Sequence, residues 1–340
     1  MPGIGSMIDV KVASRLDVMK GREAPGCRVL RTTSEHDFPN FHPITLDSRT
    51  IIESYTSGVD PYADFNFLEL WAWNQSESSG YSILNGNLVV LWDDVVTHEL
   101  FLTFLGTNAV IETAETLIDF AMYSGITPRL FAVPDVVVQQ VSDFGPRLRV
   151  DYDPVNSDYL LSTELWSSLP GAPFKNKRNA IHRLERNHNP KVNRLDLTNE
   201  RVRADIRSTC AVWASLRSRV PEATQGEFQA IEQVLAFAEK HSGNAIYAIG
   251  VYVDGCMIGF SINEELRDGF GLGHFAKADF RFDGIYPYML RHVARHMASR
   301  GIGLLNIEAD LGDPGLIISK RLCHPVGMLK KYAISRVSDD

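Results

Sequence analysis

The 340-residue sequence has no apolar run approaching the roughly 18 to 20 residues that a membrane-spanning helix needs. Its N-terminus lacks the basic, apolar and small-residue order of a secretory signal. The four cysteines, Cys27, Cys210, Cys256 and Cys323, form no C-x-x-C pair, so neither a zinc knuckle nor a disulfide framework is indicated. Low-complexity tracts and blocks of like charge are missing as well, and most of the chain is expected to fold. These absences predict a cytoplasmic protein with reduced thiols and no integral membrane association.

What is present suits two domains, each long enough to bury its own core. The net charge of −8 argues against a protein coated in nucleic acid, and no DNA partner is expected. The charge is uneven: residues 1–150 hold 10 Lys and Arg against 19 Asp and Glu, and the remainder 24 against 23. Residues 1–35 carry early Gly and Pro without a sustained period and read as a weakly structured leader.

A repeated order of elements follows. Tyr81 to Trp92 places Asn85-Gly86 between two apolar runs, which is a hairpin signal. A strand at 101–105, a helix at 111–123 and a strand at 130–133 come next. The second half repeats the order: a hairpin around Asp254-Gly255, a strand at 272–275, a helix at 286–300 and a strand at 303–307. Two copies of hairpin, strand, helix, strand predict an α+β fold of two tandem GNAT-like acyltransferase domains, each a mixed twisted sheet flanked by helices. The expected boundaries are 36–155 and 156–340. The five tryptophans, Trp71, Trp73, Trp92, Trp166 and Trp213, lie in apolar surroundings and read as core.

Three segments of the second half carry candidate chemistry. Between Lys175 and Arg194 lie seven Lys or Arg and one Glu, with Ile181 and Leu184 supplying a buried stripe of a helix. Lys175, Lys177, Arg178, Arg183 and Arg186 could contact an RNA backbone, which requires only positive charge and reach; a solvated basic helix is the plain alternative. Around the second helix, Arg281-x-x-Gly284-x-Tyr286-Pro287 stands where a GNAT enzyme would hold the pyrophosphate of coenzyme A. The bulky Tyr286 and the amide-less Pro287 argue against that cofactor. In the third segment, Glu308 and Asp310 lie two apart at an expected strand end and should face one side, near Lys320. Such a set could bind an ammonium group, share acid–base work and stabilise an oxyanion, or close the turn as a salt-bridge cluster. His292 and His296, spaced i, i+4, lack the Glu of a zinc protease, and no metal is expected.

Taken in order, Tyr159-Leu…Leu169-x-Gly171…Lys177-Arg178-Asn179, His274-Phe-x-Lys277-Ala-Asp279…Gly284-x-Tyr286 and Asn306-x-Glu308-x-Asp310-Leu-Gly312…Lys320…Pro325…Lys331-Tyr332 resemble the phosphatidylglycerol lysyltransferase C-terminal domain. Phe41-His-Pro43 and Asn66-Phe67-x-x-Leu70-Trp71-x-Trp73 are similar to the opening of that family, so the resemblance covers about residues 41 to 334. It implies aminoacyl-tRNA as donor and co-substrate, with no bound cofactor. It also implies substrate contacts from His274, Lys277, Tyr286 and Asn306, catalytic roles for Glu308, Asp310 and Lys320, and tRNA contacts extended to Lys330 and Lys331. Ala276 departs from the Glu often found before the lysine, which puts amino-acid or acceptor specificity in question. The resulting expectation is transfer of an aminoacyl group to an amine or hydroxyl of a soluble small molecule or peptide. An acyl-CoA N-acyltransferase, a lipid-modifying aminoacyltransferase and a non-catalytic binding module are the rivals.

Overall fold

The computed structural model describes residues 37–74, 77–94, 99–217, 222–240, 246–267 and 269–337. The expected leader at 1–35 lies outside the described residues. The described residues form two compact units, one within 37–157 together with 329–337 and the other within 158–328.

In the first unit a seven-stranded sheet has the order β1 (His42–Pro43), β2 (Gly80–Leu84), β3 (Asn87–Asp93), β4 (Leu100–Leu105), β5 (Arg129–Pro134), β14 (Lys331–Arg336), β6 (Leu148–Tyr152). Asn85 and Gly86 take φ of 54° and 77°, the left-handed pair that a two-residue hairpin turn requires. The helix Val110–Ser124 carries the chain across so that β5 runs parallel to β4. Strand β14 enters between β5 and β6, antiparallel to both. The last strand thus lies with the first unit, whereas the sequence analysis assigned residues 329–340 to the second domain.

The second unit has the sheet order β13 (Gly327–Leu329), β7 (Asp158–Ser162), β12 (Leu304–Asn306), β11 (Phe270–Ala278), β10 (Cys256–Glu265), β9 (Ile246–Val253), β8 (Lys191–Arg194). Asp254-Gly255 repeats the left-handed hairpin turn, with φ of 48° and 79°. The helix Ile285–Ser299 buries Ile285, Tyr288, Met289, Val293, Ala294 and Met297 at helical spacing, together with Trp166, Phe174, Ile181 and Leu184. Each large apolar side chain so buried contributes about 1.5–3 kcal/mol. Trp166 and Trp213 are buried, while Trp71, Trp73 and Trp92 are half-buried.

Two features of this sheet position the site. The parallel β11–β12 pairing covers only Phe270–Leu272 against Leu304–Asn306, and β11 then continues to Ala278 beyond the end of β12. The β10–β11 register also shifts, with Ile262 opposite Phe275 and Asn263 opposite Gly273. His274 is therefore the extra residue of a bulge, a device that re-aims one side chain.

Candidate active site

The chain leaves β12 at Asn306 and turns sharply. Asn306 is fully buried; its Nδ2 donates to Asp158 Oδ2 at 3.1 Å, and its Oδ1 accepts from the Glu308 amide at 2.7 Å. That side-chain bond captures a backbone donor and ends the strand. Glu308 adopts φ of 61°, a left-handed conformation that a non-glycine residue takes only where its surroundings enforce it. The enforcing groups are identifiable. Tyr159 of β7 donates its amide to the Glu308 carbonyl at 3.2 Å and accepts from the Ile307 amide at 3.0 Å. Lys320 Nζ donates to the carbonyls of Ile307 at 2.6 Å and Ala309 at 2.5 Å, bracketing Glu308 from both sides.

The strand that was to align Glu308 with Asp310 stops two residues short, so side-chain alternation does not relate the two carboxylates. Asp310 is buried; Oδ2 accepts from the Tyr159 hydroxyl at 2.7 Å and Oδ1 from the Gly312 amide at 2.9 Å. Burial is the first cause that raises the Tyr159 pKa, followed by the hydrogen bond to Asp310; a hydrogen bond with Arg321 opposes both. Lys320 follows in the helix Pro314–Arg321, which starts on Asp313 as a side-chain cap accepting from the Leu316 amide at 2.8 Å. The arrangement is a tied turn in which half-buried Glu308 is held by Asn306, Tyr159 and Lys320.

The other candidate substrate contacts occupy two further places. His274 is buried, with Nε2 3.3 Å from the Glu264 carboxylate. Lys277 is buried on the Trp213 ring, 4.2 Å from its centroid, and pairs with Glu227. Tyr286 is 37% exposed, and desolvation of its hydroxyl raises its pKa; hydrogen bonds with the Ala278 backbone and Trp213 oppose the rise. Among the described residues, Lys277 and Tyr286 thus find their partners in Glu227, Trp213 and the Ala278 backbone, none of which belongs to the Glu308 turn. Ala276, between them and His274, is exposed.

At the turn that stands where a GNAT enzyme would hold a pyrophosphate, and that Tyr286 and Pro287 argue against as such a loop, several donors already have partners within the protein. Arg281 donates to Asp279 through Nε at 2.9 Å and Nη2 at 2.6 Å, and this bond holds the Asp279 carboxyl below the usual carboxylate range. The Arg281 amide donates to Asp279 Oδ1, and the Ile285 amide to the Phe282 carbonyl. Gly284, at φ of 92°, abuts the helix Lys175–His188 so closely that a Cβ there would lie 2.4 Å from the Ala180 carbonyl oxygen. His292 and His296 have separate partners: His296 lies 2.7 Å from Glu265 and stacks on Tyr247, while His292 packs beside Tyr288.

Of the expected RNA-contacting cations, Lys175, Arg183 and Arg186 are exposed on the helix Lys175–His188, and Lys177 is half-buried. Arg183 pairs with Asp283 at 2.5 Å. Arg178 directs Nη1 to the carbonyls of Leu169 and Gly171 at 2.5 and 2.8 Å. Lys330 is exposed in the first unit. Lys331 corrects the expectation: it is fully buried in that unit and ion-paired with Asp64, so its ammonium is not presented to an RNA backbone. The sequence reading missed Tyr159 and Arg321 as parts of the turn and Trp213 and Glu227 as partners of Lys277. Tyr159 lies in the first of the family-like motifs, but nothing local ties it to Asp310, 151 positions away.

The chain resembles in fold a conserved protein of unknown function from Bacteroides thetaiotaomicron VPI-5482, with 22% identity, a TM-score of 0.72, and coverage of 88% of this chain and 99% of that one. The C-terminal domain of a putative lysylphosphatidylglycerol synthetase from Agrobacterium fabrum matches at 11% identity and a TM-score of 0.60, over 86% of this chain and 92% of that one. L-PGS from Bacillus licheniformis matches at 12% and 0.58, over 88% and 94%. No curated protein matches in sequence. The family model described as phosphatidylglycerol lysyltransferase, C-terminal, matches residues 57–335. With two mixed sheets flanked by helices and a match over most of its length, the chain belongs to the phosphatidylglycerol lysyltransferase C-terminal family of acyltransferases.

Proposed function

We propose that this chain transfers an aminoacyl group from aminoacyl-tRNA to an amine or hydroxyl of a soluble small molecule or peptide. The observation that carries the choice of donor is the Gly284 turn. A coenzyme A pyrophosphate would need Arg281 and free amides there; Asp279 engages the Arg281 side chain and amide, the Phe282 and Ile285 amides donate to the Asp279 and Phe282 carbonyls, and Gly284 packs closely against the Ala180 backbone. The exposed cations of the helix Lys175–His188 suit a phosphate backbone, and family membership supports the same donor.

An aminoacyl ester is already activated, so the reaction needs positioning, deprotonation of the acceptor and stabilisation of the tetrahedral oxyanion. Glu308, held out of the strand by its turn, takes the proton as the acceptor nitrogen or oxygen bonds to the ester carbonyl. The bond from that carbon to the tRNA ribose oxygen then breaks, and the proton returns to the ribose oxygen. Lys320 supplies positive charge beside the turn and fixes it through two carbonyls; Asp310 and Tyr159 hold its far end. His274, Lys277, Tyr286 and Asn306 shape the surroundings in which the substrates bind.

A second reading, a lipid acceptor, is favoured by one observation. The helix Pro314–Arg321 buries none of its residues, and Leu311, Ile318 and Leu322 beside the candidate turn are 67%, 62% and 54% exposed.

The test is mass spectrometry of products after mixing the protein with total charged tRNA and a metabolite extract, with parallel arms of extracted lipids and of acyl-CoA. An aminoacylated soluble product is expected. Aminoacyl-lipid would move the acceptor to the second reading. Tight coenzyme A binding without tRNA affinity would overturn the donor, and inertness with every charged tRNA and a broad amine panel would leave a binding module.

A further inference from the structure

Three arginines of the second unit converge on one short segment. Arg291 Nε and Arg295 Nε, one helical turn apart on Ile285–Ser299, both donate to the Ser167 carbonyl at 3.3 Å. Arg178, from the helix Lys175–His188, donates to the Leu169 and Gly171 carbonyls. These carbonyls belong to the end of the helix Thr163–Ser168 and the turn after it, where Leu169 adopts a left-handed conformation with φ of 51°. Free carbonyls at a helix C-terminus attract cations, which explains why the guanidiniums gather there.

Attraction to carbonyls does not neutralise three charges. Among the described residues, no carboxylate lies within 4.0 Å of Arg178, Arg291 or Arg295. Other arginines of this unit are matched: Arg183 with Asp283, Arg281 with Asp279, Arg300 with Glu265. The two helices that supply the three arginines hold seven Lys or Arg and one acid, Glu185. Burial and the like charge of Arg295 push the Arg291 pKa down, and Glu185 only partly opposes them. Each of Arg291 and Arg295 is anchored through Nε, so its outer Nη groups are pre-aimed and available for a bidentate acceptor such as phosphate.

We propose that Arg178, Arg291 and Arg295 form a phosphodiester clamp for the RNA of the aminoacyl donor. The clamp rests on the tRNA-dependent reading above and extends its RNA contacts from the basic helix, through Arg178, to the second helix that carries Arg291 and Arg295. The chemistry of the surroundings favours RNA over a bilayer. No large hydrophobic residue between 158 and 194 or between 287 and 300 is exposed, so the stretches that carry the three arginines themselves offer charge rather than aliphatic surface. A backbone clamp reads no bases, and its effect is the same for tRNAs of different sequence.

The test measures tRNA binding by the full chain and by R291Q/R295Q across a salt series, with anionic phospholipid vesicles as a parallel probe. The expected result is a loss on the order of 10-fold in tRNA affinity at low salt, a salt slope shallower by about 1 to 2, and equal losses for unrelated tRNAs. Because the double variant could disturb packing at Ser167, its thermal unfolding is compared with wild type. The wild-type protein is also treated with phenylglyoxal with and without tRNA, and tRNA is expected to protect Arg291 and Arg295 in the mass spectrum. A folded variant with unchanged affinity and slope overturns the clamp, as does a wild-type protein that binds tRNA but leaves both arginines reactive. Loss of vesicle binding with tRNA binding intact also overturns it, in favour of a membrane contact. A wild-type chain that binds no tRNA removes the donor reading itself, and the clamp with it.

Discussion

Tyr159 donates its hydroxyl hydrogen bond to Asp310 at 2.7 Å, while its backbone pairs with both Ile307 and Glu308. One residue of β7 therefore holds the candidate turn at three points. Tyr159→Phe keeps the backbone pairing and removes the hydroxyl, leaving the buried Asp310 short of a partner at a cost of about 1–3 kcal/mol. Chemical denaturation should show that loss, and product formation from charged tRNA should fall by about tenfold or more. Unchanged turnover in a destabilised variant would confine Tyr159 to a structural role.

Lys320→Met should act on the chemical step rather than on donor binding. The variant frees the carbonyls of Ile307 and Ala309, so Glu308 loses its enforced left-handed geometry. We expect kcat to drop roughly 100-fold with the KM for aminoacyl-tRNA near wild type, in line with losing a preorganised charge. A rise in KM alone would show that Lys320 contacts the tRNA instead.

Gly284→Ala tests the closed turn. A Cβ would meet the Ala180 carbonyl at 2.4 Å, on backbone already at φ of 92°. Backbone cannot yield as a flexible side chain does, so a loss of about 2 kcal/mol or more is expected in thermal or denaturant unfolding. A neutral result would show that the loop can open, which would return coenzyme A to consideration.

His292 should make stability depend on pH below neutrality. Burial, then Arg295 and Arg291, push its pKa down to about 4 from an ordinary value near 6.5. A lowered folded pKa means that the unfolded chain takes up the proton first. The contribution is therefore intact above about 6.5 and is lost as pH falls toward 4. His292→Gln should flatten that part of the stability profile, and NMR titration of the ring should show no protonation at pH 6.

Much of this was legible because short-range chemistry set it. Asn85-Gly86 and Asp254-Gly255 each announced a hairpin, since their left-handed pairs match the twist of the flanking strands. The spacing of the helix Ile285–Ser299 announced its buried face. The Glu308 turn was harder, because Asn306 competes through its own side chain for a backbone amide and stops β12 before alternation reaches Asp310. Lys330 and Lys331 look alike in sequence, yet one is exposed and the next is buried against Asp64. Nothing in the local sequence brings Arg291 and Arg295 together on one acceptor; the Ser167 carbonyl that gathers them is more than 120 positions away.

The placement of β14 carries a consequence for synthesis. Strands β1 to β6 leave the ribosome early, but the slot between β5 and β6 is filled by residues 331–336, made only after the whole second unit. Until then two strand edges lack their partner, and unpaired edges recruit other chains. The nascent first half must wait, shielded or slow to pair wrongly, while the second unit is translated. A protein stopped just before residue 331 should accordingly accumulate as aggregate, and the missing peptide, supplied separately, should restore a seven-stranded sheet.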